Sequence, residues 1–134
     1  MDKELLLKKA REACKLSYSP YSHFAVGACV LLKDGTYIQG ANIENSSYGI
    51  SLCAESNAIF QAVLKGYRKK EDFVALAIAC DSPSLPYPCG ACRQVMGEFF
   101  DMKTPILITN FNNQVLEKTL EELMPYAFVA ENLI

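Results

Sequence analysis

Two short stretches carry residue types that could do chemistry together, Cys53-Ala54-Glu55 and Pro88-Cys89-Gly90-Ala91-Cys92. Three thiols suit a zinc ion. Structural zinc sites usually close with four protein ligands, whereas catalytic sites keep one position for water. Three cysteines, Cys53, Cys89 and Cys92, therefore point to an open site. Glu55, two residues past the first thiol, is placed to handle the protons of such a water. The chemistry implied is that of a zinc hydrolase acting on a small molecule.

Simpler readings stand beside this one. The Cys89/Cys92 spacing also fits a thioredoxin-like redox pair, although that leaves Cys53 and Glu55 without a task. It equally fits half of a structural zinc site completed by His23, Cys14, Cys29 or Cys80. Cys14, Cys29 and Cys80 lie within apolar patterns, where cysteine usually serves as a small core residue. A glutamate at a helix start is often no more than a dipole-compensating carboxylate. Cys-x-Glu followed downstream by Pro-Cys-x-x-Cys is far more specific than either half.

The elements that must position these residues are legible in outline. Asp2 to Ser17 reads as an amphipathic helix, with Leu6, Ala10, Ala13 and Cys14 at helical spacing. Ser19-Pro20 breaks it, and Tyr18 to Phe24 follows as an aromatic-rich loop. Ala25 to Leu32 is an apolar run that turns at Asp34-Gly35 into a return strand, Tyr37 to Asn42. The polar loop Asn42 to Ser47 leads toward Cys53. Cys53 to Lys65 reads as a second helix, apolar almost all round and so buried on more than one side. Phe73 to Cys80 is a continuous apolar strand covered on both faces. A loop with three prolines then delivers Cys89 to the start of a third helix striped by Val95, Met96, Phe99 and Phe100. Pro105 to Thr109, an edge strand at Gln114 to Lys118, a short helix at Leu120 to Met124 and an apolar tail close the chain. This order implies a layered α/β domain with a mixed sheet, spanning 1–134 as one unit.

Composition narrows the function classes. Of 134 residues, 51% are hydrophobic and 21% charged, enough for a real core without disulfide staples. Thirteen basic against fifteen acidic residues give a formal charge of -2, which offers no general grip on a phosphate backbone. A free small substrate is favoured over nucleic acid. The charged start Met1-Asp2-Lys3-Glu4 lacks a signal-peptide layout and no apolar run approaches a membrane span, so a cytoplasmic protein is expected.

Helix N-termini carry unpaired N–H groups and a partial positive charge that favour thiolates. Two such ends facing one another would gather Cys53, Cys89 and Cys92 into one tetrahedral site.

With these motifs in order, the sequence resembles the small homotetrameric, three-cysteine cytidine deaminases over nearly its full length. Beyond the zinc motif the likeness rests on Ser19-Pro20-Tyr21-Ser22-His23-Phe24, Val26-Gly27-Ala28, Asn42-Ile43-Glu44-Asn45 and Cys89-Gly90-Ala91-Cys92-Arg93-Gln94. The resemblance implies a three-layer α/β/α fold with a five-stranded mixed sheet and one Zn²⁺ per subunit. It implies hydrolytic deamination of cytidine and 2′-deoxycytidine to the uridines in pyrimidine salvage. Glu55 would protonate N3 of the base and pass a proton to the departing amine. Phe24 would pack against the pyrimidine, Asn42 and Glu44 would hold the ribose 3′-hydroxyl, and the Ala54 N–H would bond the base O2. Leu123-Met124-Pro125-Tyr126-Ala127-Phe128 resembles a segment whose phenylalanine completes a neighbouring subunit's site, which points to Phe128. Tyr48 becomes a candidate inter-subunit contact.

One departure from the family pattern concerns charge. Cys-Ala-Glu is commonly followed in the family by arginine and threonine, and here by Ser56 and Asn57. The arginine offsets thiolate charge, so Arg93, Asn57 or the helix dipoles are expected to compensate. Two other functions fit the zinc motif. One is deamination of a cytosine-nucleoside antibiotic of the blasticidin type, against which the Asn42 to Asn45 stretch and the Phe24 loop favour ribose. The other is a zinc-stabilised nucleoside-binding module without turnover, against which Glu55 argues.

Overall fold

The computed structural model describes residues 1–133. Helix α1, Lys3–Ala13, begins where the Asp2 side chain accepts the Leu5 N–H at 3.0 Å. It buries Leu6, Leu7, Ala10 and Ala13. The regular helix is shorter than the apolar spacing suggests, because Cys14–Leu16 tightens into a 3₁₀ turn and Ser17 is extended. The Ser17 hydroxyl is then free to reach Ser19 and Asn42.

Strands β1 (Val26–Leu32) and β2 (Tyr37–Ala41) form the expected hairpin. Its turn is held by the Thr36 N–H to Asp34 Oδ1 bond at 3.0 Å, and Gly35 takes a φ of 90° that a side chain would resist. Next come α2 (Ala54–Leu64), β3 (Phe73–Cys80), α3 (Gly90–Phe99), β4 (Pro105–Thr109), β5 (Val115–Thr119) and α4 (Leu120–Leu123). The five strands lie in the order β2-β1-β3-β4-β5. Only β3 and β4 run parallel, and α3 is the crossover that a parallel pair requires.

Side-chain alternation divides the sheet into two cores. Ala28, Val30 and Leu32 of β1, with Leu76 and Ile78 of β3, face α2 and α3. Cys29 and Leu31, with Ala75, Ala77 and Ala79, face α1. Phe73–Cys80 is thus covered on both faces as its unbroken apolar run requires, and the architecture is a three-layer α/β/α fold. The alanines of β3 let α1 lie close, and Gly27 permits the closest approach. A Cβ there would stand 2.2 Å from the Ala10 carbonyl oxygen.

Gly40 plays the same part on the other face, under α2. A Cβ at Gly40 would stand 2.6 Å from the Ala58 nitrogen and 2.8 Å from the Ala54 oxygen, both backbone atoms that cannot swing aside. Gly40→Ala is therefore expected to lower stability by about 1–3 kcal/mol through overpacking. The measurement is the urea midpoint at unchanged slope; a wild-type midpoint would show that α2 is not packed this tightly.

Helix α2 departs from expectation on its outer side. Its inner face is fully buried, but Phe60 is 41% and Leu64 82% exposed. Within one chain the apolar surface that the sequence places all round this helix is covered on one side only.

Candidate active site

Cys53 is the N-cap of α2 and Cys89 the N-cap of α3, so both sulfurs lie at helix starts. Cys92 stands one turn into α3 and is buried in the core between the two helices. The Cys92 N–H also points at Cys89 Sγ, 3.5 Å away. The three sulfurs lie within 4.8 Å of one another, with Cys53 and Cys89 3.8 Å apart. Tetrahedral zinc with sulfur ligands at about 2.3 Å spaces them about 3.8 Å apart. The donor set and its spacing fit zinc.

The electrostatics ask for a cation as well. The Cys92 thiol is pushed far above the usual thiol range by its neighbour Cys53, then by burial and by the charge of Glu55. Three crowded thiols resist ionising together unless a positive charge sits among them. No other His, Cys, Asp or Glu among the described residues joins this group. The fourth-ligand candidates lie elsewhere. Cys14 rests against the Ala10 and Ala79 carbonyls, Cys29 lies in the α1-side core, and the Cys80 thiol donates to the Ser82 and Ser84 carbonyls. Burial pushes the Cys14 thiol up to about 11 and that of Cys29 up to about 12, as for inert core thiols. His23 lies in the exposed loop with a φ of 55°.

The sulfurs open onto a pocket of about 210 Å³ lined by Phe24, Val26, Asn42, Cys53, Ala54, Glu55, Pro86, Tyr87 and Cys89. Glu55 lies in the first turn of α2 and is only 5% exposed. Burial raises its carboxyl above the usual carboxylate range, so it holds a proton more readily than a surface glutamate. Ala54, the first residue of α2, belongs to the turn whose N–H groups have no helical acceptor.

Opposite, Asn42 fixes the loop that carries Phe24. Its Oδ1 accepts the Val26 N–H at 2.9 Å and the Ser17 hydroxyl, and its Nδ2 donates to the Phe24 carbonyl at 2.8 Å. One amide hydrogen of Asn42 remains for a ligand.

Glu44 stands outside this pocket. It lines a neighbouring concavity of about 350 Å³ with Tyr21, Ser22, Tyr48 and Ser51. Its carboxylate accepts the Tyr21 and Ser22 N–H groups and the Ser22 hydroxyl, and the last bond holds its carboxyl below the usual range. The Ser22 oxygen in turn accepts the Phe24 N–H at 3.1 Å. Tyr48 packs edge-on to Tyr21 and is 73% exposed. Phe128 is 58% exposed, with its carbonyl bonded by Gln94. Neither Tyr48 nor Phe128 lines the thiol pocket of its own chain.

Of the expected compensating groups, the two helix starts do lie at Cys53 and Cys89, whereas the two side chains are engaged elsewhere. Arg93 donates to the carbonyls of Pro88 at 2.8 Å and Leu123 at 2.6 Å, and so staples α3 to the loop before it and to the end of α4. Asn57 donates to the Ala41 carbonyl and accepts from Gln61. Neither side chain bonds to a sulfur; Arg93 is held by the Pro88 and Leu123 carbonyls, and Asn57 by the Ala41 carbonyl at the end of β2. Ser56 does bond to one, with its Oγ 3.3 Å from Cys92 Sγ. Pro86 and Tyr87 are the other unforeseen contributors, although their place just before Cys89 was the signal that could have found them.

Comparison with known proteins agrees with this geometry. Residues 1–108 match the family described as cytidine and deoxycytidylate deaminase zinc-binding region. A cytidine deaminase of Halalkalibacterium halodurans is 47% identical, covering 99% of this chain and 98% of its own. One from Sporosarcina psychrophila is 44% identical over 99% and 96%. The crystal structure of cytidine deaminase from Burkholderia pseudomallei superposes with a TM-score of 0.91 at 40% identity, over 96% of this chain and 100% of the other. Three thiols gathered at two helix starts, a buried glutamate beside them and likeness along the whole chain agree: the chain belongs to the zinc-binding cytidine and deoxycytidylate deaminase family.

Proposed function

We propose that the protein deaminates cytidine and 2′-deoxycytidine hydrolytically to uridine and 2′-deoxyuridine, releasing ammonia. The observation that carries this is the convergence of Cys53, Cys89 and Cys92 beside buried Glu55 on a pocket walled by Phe24 and Asn42. Zinc held by the three thiolates supplies a water activated for attack at neutral pH.

The chain's own residues do the rest. Glu55 takes one proton from the attacking water and gives it to N3 of the base, then takes the remaining proton from that oxygen and gives it to the leaving amine. Its raised affinity for protons suits this shuttle, since a carboxylate at its ordinary strength would release them too readily. The Ala54 N–H donates to the base O2. Phe24 stacks on the pyrimidine, and the free amide hydrogen of Asn42 bonds the ribose 3′-hydroxyl. Glu44 accepts from the ribose while keeping the Phe24 loop in place through Ser22.

Assembly into a homotetramer with shared sites belongs to the same proposal. It is supported by the apolar side chains left uncovered on one chain, Phe60 and Leu64 on α2 and Tyr48, Ile50 and Phe128 outside it. Among the described residues no helix is long and apolar enough to cross a membrane.

The test is the ultraviolet change on mixing zinc-replete protein with cytidine. Conversion is expected, and its absence with one zinc bound per chain would sink the proposal. Phe24→Ala is expected to raise KM roughly tenfold to hundredfold, since stacking an aromatic on a base contributes about 1–3 kcal/mol. Steady-state kinetics check this; an unchanged KM would make Phe24 mere packing.

A further inference from the structure

We infer that the Ser56 hydroxyl is a positioning group for the metal centre, donating a hydrogen bond to the Cys92 thiolate and fixing its donor strength. This deepens the proposed function and rests on the zinc site in it.

Ser56 is only 6% exposed, and a buried hydroxyl requires a partner. The partner within reach is Cys92 Sγ at 3.3 Å, itself 1% exposed and the deepest of the three sulfurs. A metal-bound thiolate has no proton to give, so with zinc in place the direction is settled and Ser56 donates. The three sulfurs are then unequally supplied. Cys89 has the Cys92 backbone N–H, Cys92 has the Ser56 hydroxyl, and the Cys53 sulfur accepts no capping bond from its helix. Ser56 brings a hydroxyl to Cys92, on which the Glu55 carboxyl also bears.

The consequence is specific. Cys92 lies too deep for water to solvate its charge, and Arg93 and Asn57 are turned to carbonyls. One hydroxyl therefore draws electron density from the one ligand that solvent cannot reach. Outer partners of this kind orient ligands and set metal affinity.

The test compares Ser56→Ala with Ser56→Thr, which keeps a hydroxyl, in cobalt(II)-substituted full-length protein. Removing the donor makes the sulfur more electron-rich, so Ser56→Ala is expected to move the thiolate-to-cobalt absorption band to longer wavelength. Zinc affinity, read by competition with a chromophoric chelator, is expected to fall roughly tenfold to hundredfold. Ser56→Thr should restore both. An unmoved band and affinity in Ser56→Ala would overturn the inference, as would a threonine variant that behaves like alanine despite binding cobalt. Neither readout requires turnover, so a protein that shifts its band yet ignores cytidine would retain the Ser56 role and lose the proposed substrate. A wild-type protein without any thiolate-to-cobalt band would overturn both.

Discussion

Glu55→Gln is expected to keep one zinc per chain and to lose turnover by on the order of 10³-fold or more. Positioned acid–base groups contribute roughly 10²–10⁴-fold, and here one carboxyl serves successive transfers. Glutamine preserves the shape and hydrogen-bonding reach of the side chain but carries no transferable proton. KM is expected to change little, because the binding groups Phe24, Asn42 and Ala54 lie on the walls of the pocket and are untouched. Stability should not fall either. Glu55 is 5% exposed with no cationic side chain among the pocket-lining residues, and a neutral amide is cheaper to bury than a charge. Zinc analysis, steady-state kinetics and a melting curve on one preparation decide it. A variant with ordinary kcat would remove Glu55 from the mechanism, whereas one that has lost zinc would make it structural.

Removing the metal is the second large effect. Cys92→Ala, or treatment of wild type with a strong chelator, is expected to abolish turnover and lower the melting temperature together. The coupling follows from placement. Cys53 stands at the N-cap position of α2, Cys89 caps α3, and Cys92 sits in the core between them, so a bound ion would tie two helix starts and the β-strands beneath. A ligand present at about a thousand times its Kd adds about 4 kcal/mol to the folded state. For a chain of this size 1 kcal/mol shifts the midpoint by roughly 3–5 °C, so the expected drop is roughly 10–20 °C. Re-addition of zinc should restore wild type but not Cys92→Ala. Cys29→Ala and Cys14→Ala serve as controls, since those thiols lie on the α1 side of the sheet. Loss of zinc from either control would mean that the ligand set is wrong.

Glu44 and Asn42 show how one side chain can both bind and build. Each appears in a motif read as ribose-binding, yet Glu44 accepts from Tyr21 and Ser22 within the Tyr18–Phe24 segment, and Asn42 bonds Phe24 and the residues on either side of the segment, Ser17 and Val26. The loop runs without regular structure around Ser22 and His23, and it stays in place because these two side chains tie it to the end of β2. Substitutions at either position should therefore disturb the placement of Phe24 as well as contact with the sugar.

What the sequence determined by itself was the order of elements and the identity of the reactive groups. Period-two and period-3.6 apolar patterns are local properties, and they set α1, the hairpin, β3 and the two cysteine-bearing helices to within a few residues. Thiol and carboxylate chemistry is likewise intrinsic to the residue, so Cys53, Cys89, Cys92 and Glu55 could be singled out before any coordinates. Only tertiary structure decided where hydrogen bonds end. Arg93 looked like the natural partner for thiolates because it follows Cys92 in the chain, but Pro88 and Leu123 carbonyls claim it. Ser56, an unremarkable residue by type, meets Cys92 from a different helix, 36 positions away. The uncovered side of α2 was equally out of reach, because periodicity tells how much of a helix is apolar and not what lies against it. Contacts between distant segments depend on the packing of whole layers, and no local pattern encodes them.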